Sequence, residues 1–404
     1  MSRNARRMVH AMALIFSLCA RSVAAQSEPS LTAVPPIQAG PVALYPTIVL
    51  RDVGIDSNVF NDSRAPKDDF TFTVNPGLRA SLDQGPVRLI GKTSAGFVYY
   101  QTYTDQQSTN GEFQGRIETT STRIQPFASA GWLQTSDRSG YEIDARASRA
   151  QSSFTGGIDF EVTAVTALTA WAGRNRLTYA DGEKFMGVDL ASQLDYTTHL
   201  AAAGAKFAVT PITTLTVAIE LQQDRFDTSP LRDADTWRVA PILQFGVDAA
   251  ITGRVSAGYR DFNPRDPQLP PFRGFIMSAG VSYTLLGVTR FDVQANRDVT
   301  YSFEAEHPYY LASGGFLTVS QRIGGPFDLI GLGGRQRLRY QDVGGAQLDG
   351  GVETISTLGA GLGIRIGEHL RVTVTYDRTE RNSTESSGRD YERRRVLSSV
   401  SYGL

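Results

Sequence analysis

Leu370-Arg371-Val372-Thr373-Val374-Thr375-Tyr376-Asp377 sets an apolar or aromatic side chain at every even position and a polar one at every odd position. Successive side chains of a strand point to opposite sides, so this period of two marks an extended segment with two unlike faces. Leu215, Val217, Ile219 and Leu221 alternate in the same way with Thr216, Ala218, Glu220 and Gln222, and Phe291, Val293 and Ala295 with Arg290, Asp292, Gln294 and Asn296. From Leu44 to Leu404 the pattern recurs in segments of roughly ten to sixteen residues, about twice the length of strands in a soluble sandwich.

Short breaks fall at Asp83-Gln84-Gly85-Pro86, near Thr122, near Val165, at Thr210-Pro211, near Ala250, at Gly287, at Gly324-Gly325 and at Gly367-Glu368. Their spacing of roughly 40 residues holds two membrane-length strands, a tight turn and a longer loop. Longer polar breaks lie between them, at 61–68, 104–110, 135–145, 181–193, 227–235, 263–271, 302–307, 342–350 and 382–389. With the terminal strands, the spacing predicts about 18 strands. In a bilayer the backbone must satisfy its own hydrogen bonds, so a sheet spans it only when closed. The expected fold is therefore all-β: a transmembrane antiparallel up-and-down barrel over residues 43–404, apolar side chains facing lipid and polar ones a wet lumen. Phe97, Tyr99, Trp132, Tyr179, Trp237, Tyr259, Tyr283, Tyr340, Tyr376 and Tyr402 fit aromatic girdles at the membrane boundaries.

Composition agrees. The chain has 404 residues, a net charge of -1, 10% aromatics and a single cysteine. So many aromatics with so little charge exclude disorder, one thiol excludes a disulfide framework, and the charge balance excludes a basic nucleic-acid binder. Past the first thirty residues no apolar run reaches the length of a membrane helix.

Arg3, Arg6 and Arg7 precede an apolar run from Met8 to Ala20, and Ser22-Val23-Ala24-Ala25-Gln26 supplies small residues where signal peptidase cuts. Residues 1–25 therefore read as a secretory signal. Cys19 leaves with it, and Leu18 before it does not fit a lipoprotein site. Gln26 to Val42 carries Pro29, Pro35, Pro36 and Pro41 and reads as a periplasmic linker. The N-terminus and short turns are expected in the periplasm, the long loops outside and the whole in the outer membrane, with the membrane lipid and the barrel-insertion machinery as partners. Val396, Ser398, Val400, Tyr402 and Leu404 share one face of a terminal strand, similar to the C-terminal signature of such barrels, with Leu404 where an aromatic is commoner.

Gly54-Ile55-Asp56-Ser57-Asn58-Val59-Phe60, then Asp69-Phe70, then Val74-Asn75-Pro76-Gly77-Leu78, resemble the opening of the outer-membrane family called putative beta-barrel porin type 2. The motif part covers about Leu44 to Tyr103, and the rest of the chain matches in pattern. The resemblance implies an outer-membrane pore for export of an exopolysaccharide, with polysaccharide and periplasmic export components as partners. A general diffusion porin for small hydrophilic or anionic solutes is the alternative, and an outer-membrane enzyme acting on lipid or glycan is a third class.

For an enzyme the histidines matter most. His199 follows Asp195 on a strand, His307 follows Glu304 and Glu306 in a long loop, and His369 sits at a short turn. These residue types are ordinary in loops and lumens, so no catalytic residue is assigned. No zinc-type ligand cluster or ordered calcium loop occurs, and no metal or cofactor is expected. Gly331, Gly333 and Gly334, and Gly359, Gly361 and Gly363, resemble phosphate-loop fragments but lack strand-loop-helix context; in strands they allow curvature or room.

The informative charges are on the polar faces. With Leu338 and Tyr340, Leu370 to Tyr376, and Val396 to Leu404 facing lipid, Arg335, Arg337, Arg339, Arg371, Arg393 and Arg395 turn inward. Arg365 joins them if Leu362, Ile364 and Ile366 face outward. Glu353 and Asp377 oppose them, so the last four strands are expected to form a cationic, anion-favouring wall. Alternatively these arginines pair with acids on other strands, including Glu220, Asp224, Asp292 and Asp298. Tyr100, Tyr301, Tyr309 and Tyr310 are candidates for sugar-stacking platforms or for plain packing.

Overall fold

The computed structural model describes residues 35–120, 123–246, 250–346, 348, 350–384 and 388–402. The expected signal segment, most of the linker and Leu404 lie outside them. Eighteen strands close into one antiparallel barrel. In chain order they are β1 (Val42–Asp56), β2 (Asp69–Gln84), β3 (Val87–Tyr100), β4 (Ser108–Thr119), β5 (Ile124–Thr135) and β6 (Arg149–Thr163). Next come β7 (Thr166–Tyr179), β8 (Tyr196–Thr210), β9 (Thr213–Phe226), β10 in two segments (Ala234–Val239 and Ile242–Phe245), β11 (Ile251–Pro264) and β12 (Phe272–Leu285). The last six are β13 (Thr289–Tyr301), β14 (Tyr309–Gly324), β15 (Phe327–Gln341), β16 (Val352–Ile366), β17 (Leu370–Ser383) and β18 (Tyr391–Tyr402). The end of the expected linker is ordered: Ile37–Ala39 pairs back on β1.

Each strand pairs with its chain neighbours, and β18 returns to β1 through Ile48↔Tyr402 to Asp56↔Arg395. The motif at the start of the chain does structural work at this seam. Asp56 accepts from Arg393 Nε at 2.8 Å, and the Asn58 amide donates to the Glu392 carbonyl at 3.0 Å. Ser57 N–H donates to the Arg394 carbonyl at 2.9 Å, and Ser57 Oγ accepts from Arg394 N–H at 2.8 Å. A Cβ on Gly54 would lie 1.9 Å from the Val396 carbonyl oxygen, so this closure requires glycine there. Asp69 gathers the N–H groups of Thr102 and Tyr103 at 2.9 Å each and fixes the next loop. At Pro76, which has no N–H to give, the β2–β3 register skips from Val74↔Phe97 to Gly77↔Ser94.

Exposure follows the alternation. Phe97, Trp132, Trp237, Tyr259, Tyr283, Tyr376 and Tyr402 are exposed on the outer face, with Leu358, Leu362, Val374 and Val396 between such rings. Tyr179 and Tyr340 depart from the expected girdle: both are buried and face the bore.

Candidate functional site: the loop-filled, arginine-lined bore

The long-loop half of the bore is not an open watery channel. β12 and β13 pair only from Met277↔Arg297 to Leu285↔Thr289, whereas β13 and β14 stay paired up to Tyr301↔Tyr309. The upper end of the β13–β14 hairpin thus leaves the wall. Val299, Tyr309 and Leu311 pack against Phe262, Phe272 and Ile276, which are inner-face residues of β11 and β12. Arg297 covers the parting by donating to the Phe275 carbonyl at 3.1 Å. Across the bore, the Tyr301 hydroxyl donates to Asp224 on β9 at 2.7 Å, and its ring meets Phe226 edge-on at 4.7 Å.

Loop 136–148 folds in beside this hairpin. Its Ile143 and Ala147 join Leu190 and Leu194 of a short helix (Leu190–Leu194), together with Phe303, in one buried apolar cluster. Arginines tie the loops to the wall. Arg381 on β17 donates to the Tyr141 carbonyl at 2.9 Å and to Asp144 at 2.7 Å, and it also pairs with Glu353 on β16. Arg389 reaches Glu353 at 3.0 Å, and Arg232 donates to the carbonyls of Ser302 at 2.9 Å and Glu304 at 2.8 Å. Glu142, in the same loop, accepts from the Ser302 hydroxyl at 2.6 Å, and burial pushes its carboxyl up to about 8.

A cavity of about 150 Å³ remains against β1, β2, β3 and β16 to β18. Arg51, Arg138, Arg146, Arg393 and Arg395 line it, with Asp52, Asp56, Asp137 and Asp144. Four of the arginines have carboxylates: Arg51 with Asp52 at 3.3 Å, Arg146 with Asp137 at 3.2 Å, Arg393 with Asp56, and Arg395 with Asp377 at 3.0 Å. Arg138 instead donates to two carbonyls, those of Asp144 and Val59, each at 2.6 Å. Burial, with repulsion from Arg393, draws its guanidinium down to about 10, still protonated at neutral pH. Its guanidinium thus hydrogen-bonds to neutral carbonyls, and the carboxylate that acts on it from nearby, Asp56, is already bound by Arg393.

The expected cationic wall is therefore corrected in part. Arg365, Arg371, Arg393 and Arg395 do face inward, as do Glu353 and Asp377. Arg365 and Arg371 share Asp328, each at 3.3 Å. Arg335, Arg337 and Arg339 face outward. Leu338, fully buried, and Tyr340 pack with Tyr310, Ala312 and Ile355 beneath the folded-in loops, so they are filling the bore rather than meeting lipid. The opposite face of β15 then carries the three arginines beside Phe327 and Leu329.

The inward arginines of these strands do pair with acids, but with Asp328, Asp56 and Asp377 and not with Glu220, Asp224, Asp292 or Asp298. Glu220 pairs with Arg238, Asp292 with Arg290 and Asp298 with Arg260. Of the candidate tyrosine platforms, Tyr100, Tyr309 and Tyr310 are buried, Tyr309 most completely, and Tyr301 is half-buried. Arg138, Arg381, Arg389 and Glu142 were not singled out from the sequence. Arg381 alone carried a signal, since it continues the inward set 371, 373, 375, 377 and 379. His199 sits exposed on the outer face of β8, and His307 bridges Glu304 at 2.7 Å and Asp342 at 2.8 Å, joining two loops.

The family model described as "Putative beta-barrel porin 2" matches residues 36–402. The chain belongs to that family. No curated protein matches it. Among solved structures it is similar to a BenF-like porin from Pseudomonas fluorescens Pf-5, at 11% identity and a TM-score of 0.50, over 89% of this chain and 99% of that one. It is equally similar to OccK2 (OpdF) of Pseudomonas aeruginosa in complex with glucuronate, at 11% identity and a TM-score of 0.50, over 89% and 98%. The shared fold is that of outer-membrane porins, and the chain is an outer-membrane β-barrel of a porin family rather than of an enzyme family.

Proposed function

We propose that this porin is a diffusion channel for small hydrophilic solutes that favours anions. The observation that carries this is Arg138. It projects from the loop that narrows the bore, lines the remaining cavity, and makes no ion pair with a carboxylate among the described residues. In a confined space of low dielectric a charge that has no ion pair of its own acts strongly on a passing ion. The paired arginines around it supply donors for a carboxylate or phosphate at little change in net charge. A cavity of about 150 Å³ suits a small organic anion.

Planar-bilayer recording across a salt gradient tests this. Wild type should reverse on the anion-selective side, and Arg138→Gln should move the reversal potential toward zero without abolishing conductance. Cation preference in wild type, or a reversal potential indifferent to Arg138→Gln, overturns the reading.

Export of an exopolysaccharide, which the resemblance of the opening motif implies, is the second reading. It requires loop 136–148 and the tip of the β13–β14 hairpin to leave the bore together, because a glycan chain does not fit beside them. Deletion should then leave polymer in the periplasm.

A further inference from the structure

On β15 the outer face changes character along its length. Phe327 and Leu329 begin it at the short-turn end, Gly331 and Gly333 follow, and Arg335, Arg337 and Arg339 finish it toward the long loops. At about 3.3 Å per residue and a tilt near 40°, the stretch from Phe327 to Arg335 climbs about 20 Å and that to Arg339 about 30 Å. The apolar band of such barrels is about 25 Å tall, so Arg335 lies about 5 Å below its upper border, Arg337 at the border and Arg339 in the headgroup layer of the outer leaflet.

The neighbours of Arg335 and Arg337 on this face are small, Gly315 and Ser313 on β14 and Ser356 and Thr354 on β16, whereas Arg339 lies between Val352 and Leu311, where the β13–β14 hairpin leaves the wall. No acid answers them among the described residues, nor does one answer the outward Arg174 and Arg297, whereas five other outward arginines near the same rim are paired. Arg176 has Asp227, Arg225 has Asp235 at 2.5 Å, Arg273 has Asp261 at 3.3 Å, and Arg378 and Arg394 share Glu392. Three unneutralised guanidiniums rising in a line at alternate positions, with hydroxyls beside the first two, form a ladder whose complement is a multiply anionic headgroup. Planar guanidinium forks match phosphate oxygens in pairs.

We propose that Arg335, Arg337 and Arg339 bind the phosphate groups of a glycolipid of the outer leaflet. The site is on the outside of the wall, so it is independent of what passes through the bore.

The test uses the full chain, purified in mild detergent and incubated with diphosphorylated lipid A or with the same lipid after dephosphorylation, and bound lipid is counted by native mass spectrometry. Wild type should retain the phosphorylated form and not the dephosphorylated one. Arg335→Gln/Arg337→Gln/Arg339→Gln should lower that affinity about ten-fold or more, the equivalent of one lost charge-assisted contact. Arg378→Gln/Arg394→Gln, on the acid-paired part of the rim, should leave it unchanged, and excess inorganic phosphate should not displace the lipid. Equal retention of both lipids, equal loss in the two variants, or displacement by inorganic phosphate each overturns the proposal. Should the triple variant fail to show the heat-dependent gel shift of a folded barrel, the single Arg337→Gln carries the test, with an affinity equal to wild type counting against the site.

Discussion

The arginines of β15 and those of β17 and β18 lie within one quarter of the barrel and differ in almost every physical respect. Arg381 and Arg393 are inside, buried and held by Asp144, Glu353 and Asp56. Arg335, Arg337 and Arg339 are outside, with no acid beside them. Both groups lie on strands whose successive residues alternate between two faces. Alternation fixes that a strand has two faces but does not say which faces water, and the sign is set by what each face packs against. On β17 and β18 the apolar set meets lipid. On β15 it meets the folded-in loops, and the charges are left to the outer rim.

The contrast is broken most forcefully at the seam. Removing Arg393 leaves Asp56 charged and buried without its partner, at the junction that closes the barrel. Arg393→Met is expected to cost about 3 to 5 kcal/mol of stability. Denaturant titration of the folded barrel measures it, and a loss no larger than that of Arg337→Met would show that the seam pair does not differ from the outer ladder.

How far the sequence reveals this depends on which contacts are local. The alternation at 215–222 and 370–377, and turn residues such as Gly85-Pro86 and Gly287, locate strands and turns because both depend on near neighbours. The same rule puts Arg371, Asp377, Arg393 and Arg395 on the inner face of the barrel. It fails at Leu338 and Tyr340, whose burial depends on Tyr310 and on loop segments that no pattern on β15 announces. The Asp56-Ser57-Asn58 element is legible as a family motif, but its work, clasping Arg393, Arg394 and Glu392, joins the two ends of the chain and appears only on closure. Glu142 and Arg138 escape for a similar reason, since a polar loop gives no sign that it will fold into a bore.

Titration of the plug sharpens the comparison at a smaller scale. Glu142 has its carboxyl raised by burial from the ordinary carboxylate range to about 8. Its folded form holds the proton more tightly than the open form does. Its contribution is therefore full below about pH 4.5 and is lost progressively as pH rises toward 8. Protease cleavage within loop 136–148 should accelerate between pH 5 and pH 8.5, and Glu142→Gln should flatten that profile. A wild-type profile already flat would mean that the carboxyl is ionised in the closed loop.

The smallest effect is expected at Arg337, and its smallness is informative. At the upper border of the apolar band a carboxylate on the outer face costs roughly 0 to 1 kcal/mol. Arg337→Glu should thus fold normally. The side chain is separated from the bore by the strand itself, so its charge meets passing ions only through a wall and a salt atmosphere that screens beyond about 8 to 10 Å. The reversal potential across a salt gradient should stay at the wild-type value. Arg395→Glu reverses a charge that lines the cavity and places it beside Asp377, so the same measurement should move well toward cation preference. Comparable shifts for the two substitutions would put β15 in the opposite orientation. Leu338 and Tyr340 would then face lipid, and the packing of the β13–β14 hairpin into the bore would have to be abandoned with it.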